Sequence, residues 1–217
     1  MQKSEILEAL KKAKAESTKR NFKQSVDLII NLTGIDLKKT EQQIDAFVQL
    51  HNSPGRKMKV CALVGPELKD QAESSVDKAV LFEEFDKYAA NKKMTKKLAS
   101  DFDYFIGQAN IMPKIATAFG RVLGARGKMP NPKAGLIVPP NANLKPLYEK
   151  LQKTVRVKAK IAPVIQALIG KEDMDDEQLA DNAMVIYTTI IGATPNGEHN
   201  IKSAFIKLTM GKPVRVK

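Results

Sequence analysis

Apolar residues in the first fifty positions follow two different spacings. Within residues 4–17 they recur every three to four positions, which predicts an amphipathic helix with Ser4 as its N-cap. From Gln24 to Leu32, and again from Gln43 to Leu50, every second residue is apolar, which is typical of half-buried strands. A connection of ten residues separates these two strands and favours their pairing in an antiparallel sheet.

The pattern changes near residue 59. Residues 59–64 form a continuous apolar run, which predicts a strand that is buried on both faces. Short strands over 79–82 and 104–107 then alternate with helical stretches over 83–100 and 112–123. Strands that alternate with helices at this pace indicate an α/β layer with a largely parallel sheet.

Alternating strands return in the last third of the chain. Strands are predicted over 154–160, 163–169 and 201–209, with an amphipathic helix over 176–191 between the last two. In the first of these strands one face is apolar and the other carries three cations: Arg156, Lys158 and Lys160. We therefore expect this strand to present an apolar side to a core and a row of cations to solvent.

The two ends of the chain share an alternating style that the middle lacks. This predicts a discontinuous two-layer α+β domain with an antiparallel sheet, built from residues 1–60 and 154–217. A three-layer, Rossmann-like α/β domain over residues 61–153 is expected to interrupt it.

Charge is distributed unevenly along the chain. The sequence has 36 Lys and Arg against 24 Asp and Glu, for a net charge of +12. The segment from Tyr104 to Lys160 holds eleven of these cations and one acid, Glu149, so it alone carries +10. Clustered cations release condensed counterions when they meet phosphates, so this segment indicates a nucleic-acid partner.

Motifs for nucleotide, metal and acid–base chemistry are missing from the sequence. The Gly-Lys pairs that begin at Gly127, Gly170 and Gly211 lack the earlier glycine and the following Ser or Thr of a phosphate-binding loop. The two histidines, His51 and His199, have no Cys or carboxylate cluster at ligand spacing near them. We therefore expect no catalytic residues, no metal site and no cofactor, and a protein that is not an enzyme.

Cysteine usage and apolar run lengths bear on location. Cys61 is the single cysteine, so no internal disulfide can form, and its apolar neighbours predict a small core residue in a strand. The sequence has no apolar signal core after Met1 and no run near the ~18 apolar residues of a membrane span. These features favour a cytoplasmic protein without a membrane partner.

Three motifs give a more specific indication. Arg20–Phe22 leads into the strand that begins with Gln24–Leu28, Gly124–Pro130 lies in the basic segment, and Thr209–Gly211 ends the last strand. In this order, and over essentially the whole chain, they resemble the ribosomal protein L-one family of the lateral stalk on the large ribosomal subunit. The ending Thr-Met-Gly-Lys-Pro resembles archaeal or eukaryotic members more than bacterial ones.

The resemblance implies an rRNA site in the discontinuous domain. That site and the cations beside it map onto nine residues: Phe22, Ser25, Lys158, Gly170, Lys171, Thr209, Met210, Gly211 and Lys212. Small groups at 209–211 suit short hydrogen bonds to 2′-hydroxyls, because double-helical RNA exposes its shallow minor groove and hides its major-groove edges. The inserted domain is expected to supply auxiliary contacts to RNA or tRNA from Arg126, Lys128 and Lys133.

The resemblance also implies partners. These are large-subunit rRNA on the ribosome, deacylated tRNA, whose release members assist, and the protein's own mRNA, whose translation members repress. Off the ribosome the protein is expected to be a monomer. A nonspecific RNA-binding chaperone that uses the basic segment without a defined site is the alternative, and a small-molecule enzyme built on the α/β domain is disfavoured by the missing motifs.

Overall fold

The structure is a computed structural model in which residues 1–216 are described. The chain forms two compact units. The second unit spans Lys57–Gln152, and the first is built from Met1–Arg56 together with the chain that follows Gln152. Each unit has its own hydrophobic core.

The helices and strands of the described residues are numbered in chain order. The helices are α1 Lys3–Glu16, α2 Lys69–Ser75, α3 Phe85–Ala90, α4 Lys92–Asp101, α5 Met112–Ala125, α6 Leu144–Gln152 and α7 Asp176–Ala193. The strands are β1 Ser25–Leu32, β2 Ile44–Gln49, β3 Val60–Val64, β4 Lys78–Leu81, β5 Tyr104–Gln108, β6 Ile137–Val138, β7 Thr154–Ala159, β8 Val164–Lys171, β9 Ile201–Leu208 and β10 Val214–Arg215.

The first unit contains two antiparallel sheets. Its larger sheet has the strand order β10-β9-β1-β8, and β2 pairs with β7 in a second sheet. Helices α1 and α7 cover one face of the larger sheet, where Val26, Leu28 and Ile30 of β1 are fully buried. Because side chains alternate along a strand, the opposite face is only half-buried.

Two local predictions for this unit are wrong. Strands β1 and β2 do not pair. The neighbours of β1 are β8 and β9, and the chain passes through the 3₁₀ turn Thr40–Gln42 before β2, which pairs with β7. Helix α1 begins at Lys3 and not after Ser4. Gln2 takes the N-cap position, and its backbone N–H donates to Glu5 Oε2 over 2.7 Å.

The second unit is an α/β layer around the parallel sheet β4-β3-β5-β6. All five residues of β3 are buried, so both faces of this central strand are covered. Helices α3, α4 and α5 supply the core on the face of Cys61 and Leu63. Burial raises the pKa of the Cys61 thiol to about 12, which fits an inert core residue and not a nucleophile.

The predicted helix over 83–100 is divided in the structure. A 3₁₀ turn at Phe82–Glu84 and helix α3 precede Asn91, and α4 starts directly after it. The Asn91 side chain accepts hydrogen bonds from the backbone N–H groups of Lys93 and Met94, which makes it the N-cap of α4. A new cap inside the helical pattern therefore starts a second helix.

Candidate nucleic-acid interface

Three distant segments of the first unit meet at one end of its larger sheet. Ser25, the first residue of β1, lies opposite Lys171, the last residue of β8. On the other side of β1, Val26 lies opposite Leu208, the last residue of β9. The loop before β1 and the turns after β8 and β9 therefore leave the sheet together, and we call this region the sheet end.

Thr209 is fastened to β1 by three hydrogen bonds. Its backbone N–H donates to the Ser25 carbonyl over 3.0 Å, and its hydroxyl donates to the same carbonyl over 3.2 Å. The hydroxyl oxygen also accepts from the Ser25 N–H over 2.9 Å. Since a hydroxyl has one proton and two lone pairs, Thr209 keeps one lone pair for a donor on a partner, such as a ribose 2′-hydroxyl.

Lys171 brings positive charge to the same place. Its Nζ donates to Ser25 Oγ over 2.8 Å, which fixes the ammonium group above the start of β1. Two further Nζ protons, and the Ser25 hydroxyl proton, can still be donated. The sheet end thus offers donors at Ser25 and Lys171 beside an acceptor at Thr209.

Beside this cluster, a carboxylate balances another lysine. Lys23 Nζ lies 2.6 Å from Asp173 Oδ2, and this contact raises the pKa of Lys23 and lowers that of Asp173. Lys23 stays charged, but the Asp173 carboxylate beside it offsets the positive charge that it presents to a partner.

Two exposed apolar side chains flank the polar groups. Phe22 is 51% exposed and Met210 is 58% exposed, although both are large and apolar. Exposed aromatic and thioether groups next to hydrogen-bonding groups suit contact with a ribose or a base face. Lys212 lies two residues beyond Met210 and is also exposed.

The two glycines of the predicted site have different structural roles. Gly170 is buried, and a Cβ there would run into Leu179 of α7 and come within 2.7 Å of Met174 Sδ. It therefore lets the helix and Met174 close against β8. Gly211 lies in the turn after β9, where its N–H donates to the Leu208 carbonyl over 3.0 Å.

Gln24 holds the sheet end together. It is 1% exposed, and its Oε1 accepts from the Met210 N–H over 3.0 Å. Its Nε2 donates to Ser17 Oγ over 3.0 Å, and its backbone carbonyl accepts from the Glu172 N–H over 3.0 Å. The side chain and the backbone carbonyl of this one buried residue thus link the end of α1, the turn after β8 and the turn after β9.

Sequence reasoning missed Gln24, although a signal was present. It directly precedes β1 and continues the every-second-residue series of Val26 and Leu28, whose side chains face the core. A polar residue at a core position of a strand must find hydrogen-bond partners inside the protein, and here these partners belong to the candidate site.

Known proteins are similar to this chain over nearly its full length. The model of the Ribosomal protein L1p/L10e family matches residues 10–212. The large ribosomal subunit protein uL1 of Methanothermococcus thermolithotrophicus is 41% identical over 216 residues, which is 100% of this chain and 99% of that protein. The proteins of the same name from Nanoarchaeum equitans and Methanothermobacter thermautotrophicus are 43% and 40% identical, and the alignments cover 97% and 98% of this chain and 98% of each relative.

The chain belongs to this family. The match over nearly the full length confirms the resemblance that the three motifs indicated. The relatives are named as ribosomal subunit proteins, which are not enzymes.

Strand β7 of this L1-family chain turns its apolar side to the core and its three cations outward, as its alternation predicted, but two of those cations are paired with an acid of β2. Asp45 of β2 accepts from Arg156 through both of its carboxylate oxygens, over 2.7 and 2.8 Å, and lies 2.8 Å from Lys160 Nζ. These contacts, led by the Arg156 hydrogen bonds, lower the pKa of Asp45 to about 2. Lys158 is exposed opposite Asp45 on β7, in the second sheet, outside the cluster at the sheet end.

The half-buried face of the larger sheet carries one further carboxylate near the site. Asp27 lies opposite Lys207 of β9, two residues after Ser25. Burial raises the pKa of Asp27, and the charges of Lys207 and Lys171 oppose that shift. This acid therefore lies among cations on the face that leads to the sheet end.

The three auxiliary cations of the second unit differ in their surroundings. Lys133 is exposed in the turn Pro132–Ala134. The Arg126 guanidinium donates to Ser100 Oγ over 2.6 Å on an exposed surface. Lys128 Nζ donates to the carbonyls of Ala99 and Phe102, over 2.9 and 2.6 Å, at the end of α4. Part of the positive charge in the basic segment therefore stabilises the unit that carries it.

Within residues 1–216 no group of three or more His, Cys, Asp or Glu has the geometry of a metal site. Among the same residues, none of the helices combines the length and apolarity that crossing a membrane demands.

Proposed function

We propose that this chain is an rRNA-binding protein of the large ribosomal subunit and that the sheet end is its rRNA site. The observation that carries the proposal is the convergence of Ser25, Lys171 and Thr209, which come from three distant segments of the chain, with exposed Phe22 and Met210 close to them in sequence. The names of the relatives, which are proteins of the large ribosomal subunit, support the same partner.

Recognition at this surface depends on fixed small groups more than on charge. Thr209 and Ser25 hold one another through backbone and hydroxyl hydrogen bonds, so their remaining donor and acceptor sites keep a set spacing. A pre-ordered polar surface loses little side-chain freedom when it binds, which favours a partner of matching shape. The 2′-hydroxyls and phosphates in the shallow groove of an RNA helix present groups of this kind.

The variant Thr209→Val tests the site. It keeps the side-chain volume but removes the hydroxyl, and the Ser25 N–H that loses its acceptor lies where water can replace it. We expect affinity for a lateral-stalk rRNA fragment to fall about 10- to 100-fold, because one or two hydrogen bonds are lost and donors on the RNA stay unpaired. Filter binding of the intact chain measures this loss.

A matched control is Thr188→Val in α7. Thr188 is exposed and its hydroxyl donates to the Met184 carbonyl within the helix, far along the chain from the cluster. This variant should bind the rRNA fragment like the unmodified protein. Equal affinity of the unmodified chain and the Thr209→Val variant would rule out the sheet end as the rRNA site.

Competition with bulk tRNA separates the proposal from a nonspecific RNA-binding chaperone. A specific site keeps the rRNA fragment bound in the presence of a large excess of tRNA. A chaperone loses every RNA alike, with a salt dependence set only by the number of phosphate contacts.

We also propose the two finer activities of the family for this chain. If the chain binds its own mRNA at this site, a leader segment of that mRNA should compete with the rRNA fragment. Thr209→Val should then lose affinity for the leader segment and for the rRNA fragment to the same degree. A role in the departure of deacylated tRNA requires slower tRNA release from ribosomes that lack the protein. An mRNA leader that binds Thr209→Val normally would exclude repression through this site.

A further inference from the structure

The second unit carries a groove that the RNA site does not use. It lies between α5 on one side and α3 and α4 on the other, with a volume of about 570 Å³. Along α5 it is lined at positions 117, 118, 121, 122 and 125, which form one stripe over about two turns of the helix. At 1.5 Å per residue this stripe is about 12 Å long, enough for two turns of a docked helix.

The floor and the rim of the groove differ in character. Ala118, Val122 and Ala125 of α5 face Ala89 of α3 and give the groove an apolar floor. Four cations surround it: Lys92, Lys96, Arg121 and Arg126. No carboxylate lines this part of the groove.

Three of these cations have no internal partner. Within residues 1–216, Lys92, Lys96 and Arg121 form no ion pair or side-chain hydrogen bond, whereas Arg126 donates to Ser100. Cations that the fold leaves uncompensated beside apolar surface are suited to compensation by a partner.

The groove continues into a smaller one of about 330 Å³, whose rim carries two acids and one cation. The two share Ala89, Thr117 and Ala118. In the smaller part Glu83 and Asp86 lie beside Phe82 and Phe85, and Lys114 Nζ is 4.0 Å from the centre of the Phe82 ring. Apolar surface therefore continues through both parts, whereas the charge on the rim is purely cationic in the larger part and mixed in the smaller one.

We propose that this groove docks an acidic amphipathic helix of a partner protein. An apolar floor requires an apolar stripe on the occupant, which a phosphate backbone lacks, and the cationic rim requires acidic residues beside that stripe. The carboxylates Glu83 and Asp86 at the other end repel a uniformly charged strand and admit a helix whose acidic residues are confined to one end. Helices in grooves bind through anchors at positions i, i+3, i+4 and i+7, which matches the two-turn length.

The probe for a direct test is a fluorescein-labelled peptide of about 14 residues, with leucines at i, i+3, i+4 and i+7 and glutamates beside them in its first half. Fluorescence anisotropy with the full-length chain should show saturable binding in the micromolar range. A peptide of the same composition in scrambled order should bind at least about tenfold more weakly, because it has no apolar face. Absence of saturation below about 1 mM for the designed peptide overturns the proposal.

Two double charge reversals on α4 give a matched pair. Lys92→Glu/Lys96→Glu changes the rim, whereas Lys93→Glu/Lys97→Glu makes the same change of charge on the same helix at exposed positions outside the groove. We expect the first to reduce peptide affinity at least about tenfold and the second less than about threefold, since distant surface charges are screened by salt. Equal losses mean that only net charge matters, which overturns the proposal.

An uncharged change tests the floor. Ala89 is exposed and borders both parts of the groove, so Ala89→Gln fills space there without a change in charge. Peptide affinity should fall about fivefold or more, because packing at the centre of an interface dominates its energy. An unchanged affinity, with a circular dichroism spectrum like that of the unmodified chain, contradicts docking on this floor.

The last ligand to be tested is a labelled single-stranded RNA of about the same length as the peptide. It should lose little affinity in Lys92→Glu/Lys96→Glu beyond the loss in Lys93→Glu/Lys97→Glu. A selective loss of RNA binding in the rim variant, larger than the loss of peptide binding, would make the groove an RNA surface and would overturn the proposal. Thr209→Val should leave peptide binding unchanged, so failure of the rRNA site and failure of the groove are distinguishable.

Discussion

The proposed rRNA site at the sheet end and the proposed docking groove of the second unit differ in how their polar groups are held. At the sheet end, Thr209, Ser25 and Lys171 are tied to one another by hydrogen bonds of 2.8 to 3.2 Å. In the groove, Lys92, Lys96 and Arg121 are held only by the helices that carry them. Fixed groups discriminate by geometry, whereas mobile charges attract partners of many shapes.

The difference also bears on how the charge of this chain is interpreted. The segment from Tyr104 to Lys160 carries most of the net charge, but the polar cluster lies outside it. Of the cations in that segment, Arg156 and Lys160 are paired with Asp45 of β2, and Lys128 is bound to backbone carbonyls. If the sheet end is the rRNA site, as proposed, the local excess of cations indicates the class of partner but does not locate the site.

The largest loss of stability is expected at Gly170, where the sheet end is tightly packed against α7. Gly170→Ala should lower the free energy of unfolding by roughly 3 kcal/mol, because the added Cβ meets the fully buried Leu179 and the Met174 sulfur at 2.7 Å. Urea denaturation followed by circular dichroism measures this.

Gly120→Ala in α5 is the opposite case in the second unit. Nothing lies within 4 Å of a Cβ built there, and alanine favours a helix, so stability should rise by about 0.5–1 kcal/mol. If both substitutions were neutral, the contrast between a tightly packed sheet end and an open helical surface would not hold.

The second effect concerns Asp45, the carboxylate that pairs with two of the three cations of β7. The folded-state pKa of Asp45 is about 2, below its ordinary value of 3.8, chiefly because Arg156 donates to it. The stabilisation is therefore complete above pH 3.8 and is lost as the pH falls towards 2. Asp45→Asn should reduce stability at pH 7 by about 2 kcal/mol and flatten the stability curve between these two values.

The exposed carboxyl of Asp101 provides the control for that measurement. Asp101 forms no ion pair within the described part of the chain, so Asp101→Asn should change stability by less than about 0.5 kcal/mol at pH 7. A pH profile of Asp45→Asn that keeps the original slope below pH 4 would show that another group is responsible.

These cases show what the sequence could and could not provide. Alternation located β1, β7 and β9 because the side-chain period of a strand is a local property. The pairing of β2 with β7, and the Asp45 contacts that follow from it, join residues more than a hundred positions apart and leave no local pattern. The motifs indicated the residues of the sheet end, but the role of Gly170 depends on the distance to α7, which only the fold sets.

The third effect compares two cations of the second unit. Lys128 binds two backbone carbonyls, whereas Arg126 binds one exposed serine hydroxyl. Lys128→Met should lower the free energy of unfolding by about 1.5 kcal/mol, because two carbonyls at the end of α4 lose a charged donor. Arg126→Met removes one bond to an exposed serine hydroxyl and should cost less than about 0.5 kcal/mol. Thermal denaturation ranks the two variants, and a larger cost for Arg126→Met would contradict the structural role of Lys128.

The smallest effect tests whether geometry or charge selects the RNA. If Lys171 at the sheet end contacts a phosphate, Lys171→Met should reduce the slope of log affinity against log salt by about 0.9 and weaken binding of the rRNA fragment only a fewfold. Lys158→Met, on the second sheet, should change the slope by less than half as much, because Lys158 lies outside the cluster. Thr209→Val should leave the slope unchanged while it lowers affinity at every salt concentration, because its hydroxyl displaces no counterion. Filter binding between low and physiological salt measures all three slopes, and a reduced slope for Thr209→Val would assign the recognition at the sheet end to charge.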